Sequence, residues 1–351
     1  MFSLYIHIPF CKQKCAYCAF HSAPGSEQQK EQYYNALRTA IDRAEHRPAS
    51  TLYFGGGTPA LLGKERLCGL IAKVKKTFGL LPDAEVTVEL NPESTTPELL
   101  AALKNAGVNR ISLGVQSLND AELKILGRLH NAQKAKEALS MIFEAGFQNV
   151  SADAMFGLPG QTEESFSHTL DTLLSYPLTH LSAYSLQWEE GTPLGDAPQP
   201  MEEELEEALW LLLCQKAKEA GMEHYEVSNF AKPGFASRHN SAYWARTDYL
   251  GVGPAAHSFL RGVRYSAPED TAAFIADPNP LQNPLPIDGE EAYEEQVLLG
   301  LRTDRGIPLS LLPPDLDFEK YKDFSYISQE RFILNERGFY LSNSIIQGVL
   351  K

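Results

Sequence analysis

The chain has 351 residues, 43 % of them apolar, and a net charge of −14, which gives room for a barrel-sized domain, an added module and a filled core. The acidic balance argues against nucleic acid as a main partner, because phosphate contact needs a basic footprint. No apolar run is long enough for a membrane-spanning helix, and the N-terminus lacks the basic and apolar regions of a secretory signal, so the expected setting is the cytoplasm.

Six β-rich runs separate helical-period stretches: Leu4–Ile8, Thr51–Gly55, Glu85–Leu90, Arg110–Val115, Val150–Phe156 and His180–Leu186. Between them Gln29–Glu45, Lys64–Phe78, Pro97–Asn105, Gln133–Ala145 and Glu163–Leu174 read as helices. Pro97 follows Ser94-Thr95-Thr96, an N-terminal cap pattern, while Gly107 and Gly146 read as C-terminal stops. The alternation implies right-handed βαβ units and a parallel α/β sheet, either a partial barrel or an open doubly wound sheet. In either architecture ligands bind at the carboxyl ends of the strands.

Those ends carry the unusual residues. Cys11, Cys15 and Cys18 follow the first strand and Gly55-Gly56-Gly57-Thr58-Pro59 the second. Glu89-Leu90-Asn91-Pro92, Gly114-Val115-Gln116-Ser117, Asp153 ahead of Gly157-Leu158-Pro159-Gly160, and Tyr184 to Trp188 complete the set. Three thiolates on one loop suit an iron–sulfur cluster or zinc, and the missing fourth local ligand leaves one metal position open. For zinc, His7 or His21 would have to serve as the remote fourth ligand. Cys68 and Cys214 sit in apolar helical stretches and read as core. An odd cysteine count with clustered spacing fits a reducing compartment.

Glu202–Ala220 reads as a long helix with Leu205, Leu209, Leu212, Leu213 and Ala217 on one face. The stretch Arg238 to Trp244 reads as a loop, and Asp277 to Pro286, with four prolines, as a linker or extended strap. Glu290–Leu301 reads as a helix and Asn343–Leu350 as a short one. Phe332–Leu334 and Phe339–Leu341 around Asn335 to Gly338 suggest a hairpin, hence a small winged-helix-like module.

Cys-x3-Cys-x2-Cys after a strand, with Tyr17 before the last cysteine, resembles the cluster loop of radical S-adenosylmethionine (SAM) proteins. The resemblance extends over all six strands and implies a partial (β/α)6 barrel with a smaller C-terminal α+β module. It implies a [4Fe–4S] cluster on Cys11, Cys15 and Cys18, with SAM chelating the fourth iron. Tyr5 to Cys11, Gly114 to Ser117 and Asp153 to Gly160 resemble the branch containing the oxygen-independent coproporphyrinogen III oxidase. Carried over, Tyr5, Gly56 and Glu89 would contact cluster-bound SAM, while Tyr17, Gly57, Thr58, Gln116, Arg128 and Asp153 would surround it or a second SAM.

Two departures lead away from that oxidase. It has a further cysteine two positions past the third, where this chain has Ala19-Phe20, and an N-terminal extension, whereas this sequence begins just ahead of Tyr5. His239-Asn240-Ser241-Ala242-Tyr243-Trp244 fits the HNxxYW signature of the heme-chaperone branch of the same family. That resemblance implies a chaperone using a cluster, SAM and heme, delivering heme to acceptor hemoproteins such as membrane-associated respiratory enzymes. His239, Tyr243 and Trp244, with His257 as an alternative iron ligand, become the candidate heme residues. The competing expectation is a radical SAM enzyme that decarboxylates or modifies a porphyrin. The expected division is residues 1–200 for the barrel, 201–276 for a connecting region holding HNxxYW, and 277–351 for linker and C-terminal module. A homodimer is compatible with all of this.

Overall fold

A computed structural model describes residues 2–350. Six parallel strands form its centre: β1 (Ser3–Ile8), β2 (Ala49–Gly56), β3 (Leu80–Leu90), β4 (Arg110–Gln116), β5 (Asn149–Phe156) and β6 (His180–Ser185). The crossovers carry α1 (Glu27–Arg43), α2 (Lys64–Thr77), α3 (Pro97–Asn105), α4 (Asp120–Ile125), α5 (Ala132–Glu144) and α6 (Glu163–Leu174). Local chemistry sets their ends. Ser26 and Gln29 form a reciprocal cap on α1, Thr96 accepts from Leu99 N ahead of α3, and Asn131 and Thr162 cap α5 and α6. Gly107 and Gly146 follow their helices at φ 89° and 81°, the left-handed stop that glycine adopts without strain.

Strand alternation sorts the two faces. Leu4, Ile6, Ile8, Leu52, Phe54, Val86, Val88, Ile111 and Leu113 are buried in the apolar core under the helices. On the other, concave face stand Tyr53, Glu89, Ser112, Gly114, Asp153, Ser182 and Tyr184. The pleat therefore gives the barrel an oily outside and a polar inside.

The sheet continues past both ends of this set. After α7 (Glu203–Glu219) come β7 (Glu223–Glu226) and β8 (Asn229–Ala231), with β8 antiparallel to β6. α8 (Arg238–Trp244) leads to β9 (Tyr249–Val252), which pairs parallel with β1. β10 (His257–Leu260), β11 (Val263–Ser266), α9 (Thr271–Ala276) and β12 (Gln282–Pro286) complete a twelve-stranded sheet. The proline-rich segment is thus an edge strand. Pro284 and Pro286 lack the donors a further strand would need, which suits an edge.

α10 (Gly289–Gly300) leads into a small sheet of β13 (Ile307–Pro308), β15 (Arg331–Leu334) and β14 (Ser325–Ser328), with α11 (Glu336–Tyr340) and α12 (Ser342–Val349) behind it. Trp210 Nε1 donates to the Glu336 carbonyl at 2.8 Å and ties this module to α7.

Two local expectations are corrected. The hairpin lies one strand earlier, between β14 and β15, turning at Gln329 and Glu330 with φ of 49° and 58°. Asn335 is a helix cap accepting from Gly338 N, so Phe339–Leu341 belongs to α11 and its end. Arg238–Trp244 is not a loop but a helix, capped by Ser237. Among the described residues no helix is long and apolar enough to cross a membrane.

Candidate functional site

A cavity of about 480 Å³ opens at the carboxyl ends of the strands, bordered by Cys11, Cys15 and Cys18 on one side and by the concave strand face on the other. Its lining also includes Gly56, Glu89, Gln116 and Asp153 from β2 to β5, Ser182 and Tyr184 from β6, and Tyr17, Gly57, Thr58 and Arg128 from the loops. Of the candidate SAM residues, Tyr5 alone stays outside the lining. It is half-buried, its hydroxyl 3.0 Å from His7 Nδ1.

The cysteine loop is pinned from three directions. Cys11 N donates to the Ala23 carbonyl at 3.1 Å, Ala16 N to Leu126 O at 3.0 Å, and Leu194 N to Ala16 O at 2.9 Å. The glycine turn is fitted against its root: Gly57 N and Thr58 N donate to the carbonyls of Ile8 and Phe10 at 2.9 and 2.7 Å. A β-carbon on Gly57 would lie 2.7 Å from the Phe10 carbonyl oxygen, and one on Gly56, at φ 111°, 2.5 Å from the His7 ring. The three thiols are free and half-buried. Among the described residues no three His, Cys, Asp or Glu side chains converge on one point as a single metal ion requires. The three sulfurs share a cavity wall. That suits a cluster, in which each sulfur takes a different iron.

Arg128 bridges this loop to the sheet. Its guanidinium donates to Asn91 Oδ1 and to the Gly114 carbonyl, both at 2.7 Å, and lies 3.5 Å from Cys15 Sγ, while its buried Nε has no partner. Asn91 in turn donates to Thr58 Oγ1 at 2.8 Å. Facing Arg128 are two carboxyls. Glu89 accepts from Tyr53 Oη at 2.7 Å and from Gly56 N at 3.2 Å, and Asp153 accepts from Ser112 Oγ at 3.3 Å. Burial pushes Glu89 up to about 7 and Asp153 up to about 6, because an ionised carboxylate loses its water shell there. Gln116, at φ 70°, accepts from Tyr184 Oη at 2.9 Å, a backbone conformation uncommon for a side chain of its kind.

Of the candidate heme residues, His239 and Tyr243 meet, but none of the four lines the cavity. His239 is buried beneath the cavity, with Nδ1 2.7 Å from Thr51 Oγ1, Nε2 2.8 Å from Tyr243 Oη, and its ring stacked on Tyr53. Burial and the nearby Arg110 lower its pKa to about 3, so the imidazole is neutral. Trp244 is half-buried and His257 is exposed on β10, in the part of the sheet that extends beyond β1 and β9. His7, weighed as a zinc ligand, has both ring nitrogens within 3.0 Å of Tyr5 Oη and the His21 carbonyl. Only Asn240 of the HNxxYW stretch reaches the cavity wall.

Tyr53, Ser112 and Ser182 also face the cavity and were not singled out from sequence. Pleat alternation from Glu89 and Asp153 would have found the strand residues.

Residues 5–173 match the Radical SAM superfamily. The heme chaperone HemW of Bacillus subtilis (strain 168) is 36 % identical over 323 residues, covering 88 % of this chain and 85 % of that protein. The chain belongs to the HemW family. A second HemW heme chaperone, from Escherichia coli (strain K12), is 39 % identical over 263 residues, 73 % of this chain and 69 % of that protein. Among solved structures, the Escherichia coli coproporphyrinogen III oxidase HemN matches with a TM-score of 0.81 over 99 % of this chain and 89 % of that one. At 22 % identity it speaks for the fold alone. Placing HemW within the radical SAM superfamily implies a [4Fe–4S] cluster and SAM as family cofactors.

Proposed function

We propose that this HemW-family chain is a cytoplasmic heme chaperone that binds a [4Fe–4S] cluster, SAM and heme and delivers heme to acceptor hemoproteins such as respiratory enzymes. The observation that carries the cofactor part is the single cavity lined both by the three-cysteine loop and by an acid–base set of opposite charge. Cys11, Cys15 and Cys18 would hold the cluster, which, when bound, supplies an open iron and a one-electron reductant. Arg128 offers a planar fork to a carboxylate, and its unpartnered Nε is a spare donor. Glu89 and Asp153 offer acceptors to an ammonium or to ribose hydroxyls. Gln116, Tyr17 and Thr58 shape the walls, and Gly56 and Gly57 let the turn sit against Ile8 and Phe10.

For heme, family membership is the support, and the HNxxYW helix would act from inside. Its His239 braces β2 through Thr51, and its Asn240 forms part of the cavity wall. His257→Ala and His239→Ala distinguish the iron-ligand candidates through the Soret band. We further propose the expected division of the chain, with the qualification that residues 201–276 are built into the barrel's sheet through β9.

The second reading is an enzyme that cleaves SAM and acts on a porphyrin, favoured by the intact Glu89, Asp153 and Arg128 set. One anaerobically reconstituted sample decides between them, assayed for heme transfer to an apo-hemoprotein and for reductant-driven coproporphyrinogen decarboxylation. Transfer without decarboxylation is expected. Efficient decarboxylation, or no heme binding, overturns the chaperone reading.

A further inference from the structure

The cavity's outer rim differs in chemistry from its interior. Phe20 is 69 % exposed and Leu129 47 % exposed, and both border the cavity. They sit on segments that touch: the cysteine loop carries Phe20, and the turn after α4 that carries Leu129 holds that loop through Ala16 N and the Leu126 carbonyl. Large apolar side chains this open are ordinary when scattered, but a pair at the entrance of one cavity marks a binding surface.

Charge adds a second, independent feature. In a chain of net charge −14, no acidic residue occurs before Glu27, and Lys12 and Lys14 stand in that acid-free stretch. Both lysines are exposed, neither forms an ion pair among the described residues, and Lys12 borders the cavity beside Cys11. Gln187 and Glu189 also border the cavity. The cavity's border therefore offers two exposed apolar side chains and the Lys12 ammonium, with the exposed Lys14 two residues further along the same loop.

We infer that heme docks on this rim, with the macrocycle against Phe20 and Leu129 and its propionates toward Lys12 and Lys14. The inference rests on the heme-chaperone reading and assigns the docking place within it. A flat ring with one apolar body and two carboxylate arms matches both features at once, whereas SAM, small and polar, matches the interior.

The test uses the full-length, cluster-reconstituted chain titrated with hemin and with hemin dimethyl ester, which lacks free carboxylates. Replacing the platform (Phe20→Ser with Leu129→Ser) is expected to weaken both ligands about tenfold or more. Lys12→Glu with Lys14→Glu is expected to weaken hemin about fivefold and leave the ester within twofold. Because changes beside Cys18 can disturb the cluster, iron content is measured in each variant. A readout on the unaltered chain runs in parallel: bound hemin is expected to shield Lys12 and Lys14 from amine acetylation, read by mass spectrometry. Hemin binding within twofold of the parent in both variants, or full acetylation of both lysines with hemin bound, overturns the docking place. If the unaltered chain binds no hemin, the chaperone reading itself has failed.

Discussion

His239 Nε2 and the Tyr243 hydroxyl lie 2.8 Å apart, one turn of α8, inside the barrel rather than on its surface. His239 Nδ1 closes on Thr51 of β2, and the backbone amides of Arg238 and His239 donate to Glu85 of β3 at 3.1 Å each. The helix is thereby a plug fastened to two strands below the cavity. Tyr243→Phe removes one partner and leaves a buried ring nitrogen unsatisfied, so urea unfolding should show a loss of about 1–3 kcal/mol. Hemin affinity should stay within twofold. Unchanged stability together with lost hemin binding would instead make His239 and Tyr243 direct heme contacts.

The same helix shows where sequence reading stopped. The central strands and five of their helices were legible because each has an apolar period, and some of the helices add a polar cap and a glycine stop, as at Thr96, Pro97 and Gly107. α8 has no apolar stripe, since its surroundings are the polar barrel interior, so it read as a loop. The six-residue α4 was too short for a period to register. β14 and β15 turn on Gln329 and Glu330, residues that carry no turn signal, while Asn335, which does carry one, caps a helix. At the site, residues in contiguous motifs such as Cys11 to Cys18 and Gly55 to Pro59 were visible. Tyr53, Ser112 and Ser182 were not, because only the fold brings them to the same wall.

Single Cys11→Ala, Cys15→Ala and Cys18→Ala variants should each lose the cluster. Removing one of three sulfurs leaves two irons without protein ligands, and no other described His, Cys, Asp or Glu set converges to replace it. The fold should persist, since the loop is held by backbone hydrogen bonds at Cys11, Ala16 and Leu194 rather than by thiol packing. Iron and sulfide analysis after anaerobic reconstitution, beside far-UV circular dichroism, checks both halves. Parent-level iron in any variant would refute that cysteine as a ligand.

Gly57→Ala probes how the glycine turn positions the loop. Its new methyl would sit 2.7 Å from the Phe10 carbonyl, backbone that cannot rotate away, immediately before Cys11. Relief requires moving Phe10, at a cost of about 1–3 kcal/mol, and Cys11 moves with it. Cluster occupancy should fall by more than half while the chain remains folded. Full occupancy with parent thermal stability would mean that the turn yields without shifting Cys11.

Glu89 and Asp153 make the cavity's charge a function of pH in the neutral range. Their folded values of about 7 and about 6 stand above the ordinary 4.5 and 3.8, so across that interval the folded chain holds protons that the unfolded chain has released. Their contribution to the stability of the ligand-free fold is therefore greatest in acid and declines as pH rises to about 7, beyond which it is constant. A cationic ligand reverses the preference, because it binds the ionised carboxylates. SAM affinity of the reconstituted chain should rise from about pH 5 to about pH 8 and then level off, with proton release on binding below pH 7. Calorimetry in two buffers of different ionisation enthalpy reads both quantities. Glu89→Gln should flatten the upper part of the profile and weaken binding at about pH 8 by about tenfold, the loss of one charge-assisted hydrogen bond. An unaltered profile in that variant would remove Glu89 from contact with the ligand's ammonium or ribose.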